Sequence, residues 1–392
     1  MMEKTKKNYI ALCCISLAWF LILSGRYSIS NLLPRITEEL NFGWTEAGIA
    51  LTAMWLFYAL LQFPSGIYSD IKGRKISIII AMVVFSLSYF LIGVSIHYLM
   101  FLFALILLGA GTGGYPSVGI SMITDIFKEK RGKALGIRSS AGSLAYITPI
   151  LAAAIASYYN WRSFFFIWGA ISIFSIFLFY KGTQESTRLP ESVSVKERVV
   201  DGVKVFKKKR VQLIFLINLL IAITWISYMS FFPSYLITEK AFTEIQAGIA
   251  LGILGLGGFI FKPVIGTFSD KYNKKVIILI LALIAGFGTL GLVYAYSKWM
   301  IFLISPLLSL SPAAFPIISS YLMDQWEEKG RAGKLGFYRS NLILLASPSA
   351  SVIGFLADRY SFDVPFIGLA SILFLIVIIL LVNLTLFKNN KT

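Results

Sequence analysis

Runs of about 20 apolar residues, long enough to cross a hydrocarbon core of about 30 Å, recur along the whole chain. In such a medium a segment must satisfy its own backbone hydrogen bonds, and a helix does so within itself. We place twelve spans at 8–32, 45–68, 76–96, 99–124, 133–156, 163–181, 211–237, 244–268, 276–296, 299–324, 333–357 and 364–387. Charged residues are 14% of the chain and hydrophobic ones 57%, whereas a soluble domain carries roughly 25% charged residues. A soluble fold is excluded, and the expected class is an all-α membrane protein of twelve transmembrane helices.

The net charge of +17 orients these helices rather than marking a nucleic-acid surface. Of the 36 Lys and Arg, five (Arg35, Arg162, Lys240, Lys298 and Arg359) fall on the side opposite the termini and four fall within spans; the remaining 27 share the side of the termini. By the positive-inside rule both termini are expected in the cytoplasm, with the basic loops against anionic lipid of the plasma membrane. The basic N-terminus and first apolar run read as a span, because the run is too long for a signal peptide. Adjacent Cys13 and Cys14 have no metal-ligand company and are expected to pack as small residues.

Two loops at equivalent places are near copies. One reads Gly66-Ile67-Tyr68-Ser69-Asp70-Ile71-Lys72-Gly73-Arg74-Lys75, the other Gly266-Thr267-Phe268-Ser269-Asp270-Lys271-Tyr272-Asn273-Lys274-Lys275. Further pairs keep the spacing: Gly136 and Gly336, Pro116 and Pro316, and, one residue closer, Asp125 and Asp324, Pro149 and Pro348. The fold was therefore built twice, as bundles 1–181 and 211–392 joined by a polar linker at 182–210. An even number of spans per half leaves the halves parallel, with a site expected between them.

The two loops, twelve spans and long central linker together resemble the major facilitator superfamily over the whole chain. The first loop matches that family's G-x-x-x-D-[RK]-x-G-[RK]-[RK] motif except at Ile71; the second has Asn273 in place of Gly. The resemblance implies two six-helix bundles that rock about a central site. It also implies gating roles for Gly66, Asp70, Gly73, Arg74, Lys75, Asp125 and Arg131, and for Gly266, Asp270, Lys274, Lys275, Asp324 and Arg331. Gly66 and Gly266 would allow close helix approach, Asp70 would face the amide end of span eleven, and Arg74 would bridge Asp70 to Asp125. The bland alternative is a solvated charged turn. Gln184-Glu185-Ser186-Thr187-Arg188 after span six is similar to another family segment. Antiporter marks are missing: Leu105 stands where an Arg is usual, and Ala152-Ala153 follow Thr148-Pro149.

All 19 Asp and Glu fall in loops or at span ends, so no buried carboxylate relay is visible. His97 reads as an interfacial residue. Four cations do fall within spans, Arg26, Arg138, Lys262 and Arg339, and each needs a wet cavity, a partner or a route to the surface. Arg26 sits in Ser24-Gly25-Arg26-Tyr27-Ser28-Ile29-Ser30-Asn31, which resembles the D-R-x-x-x-S segment of the family's organic anion (anion:cation symporter) branch, with Gly25 where Asp is common. The stretch from Trp55 to Pro64 also looks like that branch. With Tyr27, Asn31, Trp225, Tyr228 and Asn341 these cations form the candidate substrate site.

The expectation is a secondary transporter of a small organic anion, a carboxylate, with or without a coupling ion, acting as a monomer. A pump or facilitator for neutral or cationic compounds is the alternative, and a sensor on the same scaffold a third. No cofactor, metal site or enzymatic nucleophile is expected, and the partners are the small-molecule substrate and the lipid bilayer.

Overall fold

The computed structural model describes residues 2–185, 200, 202–206, 209–324, 326 and 331–386, apart from the side chains of 2–5, 270, 323, 324, 331–333 and 384–386. The described residues are almost entirely helical, and eleven helical segments are long and apolar enough to cross a membrane. The twelfth expected span, span ten, is split into Lys298–Leu308 and Ala314–Asp324. Prolines explain the split: Pro306 and Pro316 lie either side of the turn at 309–313, and Pro312 within it, each without a backbone donor. The same logic breaks three other spans. Span four is Tyr98–Gly113 then Pro116–Ile126, span five Arg131–Leu144 then Thr148–Tyr158, and span eleven Arg331–Ala346 then Ser349–Arg359. Pro233 of span seven, by contrast, lies inside the continuous helix Lys209–Glu239.

Spans one, two, three, six, eight, nine and twelve are Met2–Glu39, Trp44–Lys72, Arg74–Gly93, Trp161–Gly182, Glu244–Lys271, Lys274–Val293 and Asp363–Leu386. Span one packs on five and six, and span four on two and three; in the last six spans, nine packs on twelve and eight on ten. The two groups meet along spans one and seven, two and eleven, and five and eight.

That seam is asymmetric. On the far side from the N-terminus it is zipped at backbone contact. A Cβ on Gly354 would fall 2.0 Å from the Trp44 carbonyl, and one on Gly48 2.5 Å from that of Ala350. Asp358, at the end of span eleven, accepts from Trp44 N (2.9 Å) and Thr45 N (2.6 Å) at the head of span two. A carboxylate there meets unsatisfied amides and the positive end of the helix dipole. Arg35 pairs with Glu244 across the seam, and Ser30 Oγ donates to the Ser230 carbonyl at 2.9 Å.

On the terminal side, nothing among the described residues lies within 4 Å of a Cβ placed on Gly66, Gly266 or Gly136. The close approach expected at Gly66 and Gly266 is therefore not made in this state. The Gly66 loop is nevertheless built. Arg74 Nε stands 2.5 Å from Asp125 and Arg74 Nη1 3.5 Å from Asp70. Lys75 Nζ donates to the Tyr180 and Thr183 carbonyls, both at 2.7 Å, closing the end of span six. Glu185 accepts from Arg74 N (2.7 Å) and Lys75 N (3.2 Å). Gly73 makes room for it with φ 104°, where a Cβ would lie 2.5 Å from Glu185.

The second loop solves the same problem differently. Asn273 has φ −62° and caps its own helix, its Oδ1 accepting from Lys275 N at 3.0 Å. That is why Asn replaces Gly there. Lys275 reaches Asn383 (2.6 Å) and Lys274 reaches Ser320 (3.2 Å). The side chains of Asp270, Asp324 and Arg331 lie outside the described residues.

Two expectations follow. Glu185→Ala should cost about 1 kcal/mol, the worth of a charged helix cap, and lower the melting temperature of the detergent-purified protein, as should Asn273→Ala. Gly354→Val should force spans two and eleven apart, widening the distance between spin labels at residues 159 and 360, while Gly66→Ala leaves it unchanged.

Candidate functional site

Arg26 lies near the middle of span one and is turned inward rather than out to the protein surface. It is 7% exposed, and its guanidinium stacks 3.8 Å from the centroid of the Trp55 ring and 4.7 Å from that of Tyr58. Stacking uses the face of the guanidinium and leaves its rim of N–H donors, none of which is sealed away from open space. A planar fork so held is suited to a two-oxygen anion.

Among the described residues no carboxylate pairs with Arg26, Arg138, Lys262 or Arg339. The four do not share one place. Lys262 lines a cavity of about 250 Å³ in the terminal-side half of the seam. Span five contributes Ser139, Ser140 and Ser143 to its wall, and Tyr146, Trp225 and Ser309 also line it. Tyr27 stacks on Tyr146 with centroids 4.4 Å apart, so the residue after Arg26 backs the cavity wall. Arg339 is exposed and donates to Ser319 at 3.3 Å.

Arg138 departs from expectation. It is buried between Trp19 (4.3 Å) and Tyr115 (5.5 Å), and its Nε and Nη2 are sealed without a partner. Its helix presses close enough to span one that a Cβ on Gly142 would meet Trp19 Nε1 at 2.3 Å. The neighbouring serines, rather than Arg138, face the cavity.

Three other candidates are committed elsewhere. Asn31 Nδ2 donates to the Pro149 and Glu244 carbonyls at 3.1 and 3.2 Å, stitching span one to spans five and eight. Tyr228 is fully buried and its hydroxyl lies 2.6 Å from Thr289 Oγ1 within the last six spans. Asn341 donates to the Phe337 carbonyl of its own helix at 2.8 Å. Arg131 is exposed at the head of span five. Cys14 packs, with Sγ 3.6 Å from the Leu178 carbonyl, but Cys13 is exposed rather than packed. His97 caps span four, accepting from Met100 N at 3.3 Å.

Sequence reasoning missed Tyr146 and the serines of span five as wall residues, and Tyr58 as a support of Arg26. The signal was present for the serines: 139, 140 and 143 share one face of the helix Arg131–Leu144. Glu185 was noted only as part of a similar segment, and nothing local announced that it would cap a helix 110 residues earlier.

The profile of the Major Facilitator Superfamily matches residues 15–348 and 214–391. The hexuronate transporter of Bacillus subtilis (strain 168) is 25% identical over 370 residues, covering 87% of each chain. The multidrug resistance protein MdtG of Proteus mirabilis (strain HI4320) is 24% identical over 373 residues, covering 91% of each. The crystal structure of the nucleoside transporter NupG superposes with a TM-score of 0.79 at 13% identity, covering 95% of this chain and 98% of that one. With its helical spans and repeated loops, this chain belongs to the major facilitator superfamily: it is a multi-pass membrane transporter, not an enzyme.

Proposed function

We propose that the protein is a secondary transporter of a small organic anion, a carboxylate, working by alternating access. One observation carries the reading: a buried arginine at mid-seam, stacked on Trp55, with no carboxylate beside it and its donor rim open. An unpaired charge in a low-dielectric interior is costly, and an incoming anion would offset that cost. Lys262 in the cavity adds a second positive charge, the serines of span five and Ser309 offer hydroxyls, and Tyr146 and Trp225 offer flat apolar faces. The related protein named for hexuronate, an anion, supports the same class.

The orientation we assign puts both termini in the cytoplasm of a plasma membrane, on the strength of the basic loops. The cavity then opens inward, and the far-side seam is the external gate. In this reading Arg74, Asp70 and Asp125 anchor the internal gate, with Lys75 and Glu185 bracing it, and Asp270, Lys274, Lys275, Asp324 and Arg331 repeat it in the second half. A second reading, efflux of neutral or cationic compounds, is favoured by the MdtG relative and the aromatic wall.

Uptake into proteoliposomes separates the two. Labelled glucuronate or another carboxylate should accumulate or exchange, and tetraphenylphosphonium should not. Arg26→Gln should reduce carboxylate uptake at least about tenfold, the worth of hydrogen bonds to a charged group, with the protein still monodisperse. Unchanged carboxylate uptake by Arg26→Gln would remove Arg26 from the site, and transport of the cation alone would establish the efflux reading.

A further inference from the structure

The indole that carries Arg26 also crosses the seam. Trp55 is 9% exposed. Its ring face lies 3.8 Å from the Arg26 guanidinium, and its Nε1–H donates to Ser230 Oγ, in the other half, at 3.3 Å. Ser230 is itself a node of the far-side closure: its carbonyl accepts from Ser30 Oγ at 2.9 Å. One turn further along span seven, Ser234 Oγ donates to the Ser30 carbonyl at 3.2 Å. The ring therefore touches the candidate anion-binding charge on one side and the gate on the other.

We infer that Trp55 is a positioning residue that couples the charge state of Arg26 to closure of the far side. The inference rests on Arg26 as the anion site for its meaning in transport, but the physical link is testable without ligand. A guanidinium holds an aromatic ring by its net positive charge, and an anion paired to that guanidinium weakens the hold. The ring is then free to swing, and its hydrogen bond to Ser230 is lost with it. Occupancy at Arg26 thus loosens one of the bonds that keep the far side shut, and by linkage the shut gate lowers anion affinity by the same factor. Tyr58, the other ring beside Arg26, makes no hydrogen bond across the seam among the described residues, and its part is to support the guanidinium.

The test uses the full chain with Cys13 and Cys14 replaced by Ala and spin labels at residues 159 and 360. Both positions are exposed, at the far-side ends of spans five and eleven. W55F keeps a ring under Arg26 and removes the N–H; S230A removes the acceptor. Each should raise the ratio of far-side-open to far-side-closed molecules about fivefold, the worth of one neutral hydrogen bond, and the W55F/S230A pair should do no more than either alone. R26Q, which removes the charge, should also raise that ratio. In combination R26Q and S230A should fall short of additivity by at least about twofold, and this shortfall should vanish in a W55F background. Additive R26Q and S230A effects, or a W55F distance distribution identical to the parent, would overturn the inference. Glucuronate binding to R26Q judges the anion site separately, since the ligand-free distances do not depend on it.

Discussion

Asp358 at the head of span two fixes the geometry on which the rest depends. Its carboxylate takes two backbone amides and the Thr45 hydroxyl of a helix in the other half. Those amides would otherwise be stranded, because Gly43 at the N-cap has no side chain to take them. Only with spans two and eleven in backbone contact at Gly48 and Gly354 can the acid reach them. Closing this end sets the tilt of the two halves and leaves room between spans five and eight at the other. The cavity is thus a geometric consequence of a tight seam elsewhere.

The second governing fact is electrostatic. Four cations sit within membrane spans and none is paired with a carboxylate among the described residues. Protein usually compensates such charges with acids; here aromatic faces take that place, Trp55 and Tyr58 under Arg26 and Trp19 and Tyr115 about Arg138. A π face lowers the cost of a buried guanidinium without neutralising it. The net positive charge persists, and its surroundings differ between the sites. At Arg26 the donors remain open, whereas at Arg138 two nitrogens are sealed.

Much of the architecture was legible because membrane burial imposes a long, blunt signal. Twelve apolar runs give the spans, and the duplicated prolines mark breaks at Pro116 and Pro316 and at Pro149 and Pro348. Arg26 stood out for the same reason, as a charge where charges are expensive. The finer assignments failed where the answer lay in a partner helix. Hydropathy cannot say which face of span seven meets the seam, so Tyr228 was placed at the site although it points to Thr289. Asn31 is polar as expected, but its amide is spent on carbonyls of spans five and eight that no local pattern foretells. The Trp55 to Ser230 contact joins residues 175 apart and has no local trace at all.

The duplicated loops ended up mechanically unequal. Where Asn273 terminates its helix from within, the first copy borrows an acid from the start of the interdomain tether, and glycine at 73 makes room for the loan. Strain applied to that tether is consequently delivered to span three and, through Arg74, to the foot of span four. Of two near-copies in sequence, the one at Gly66–Lys75 is tied to the chain that follows span six, and the other closes on its own helix through Asn273.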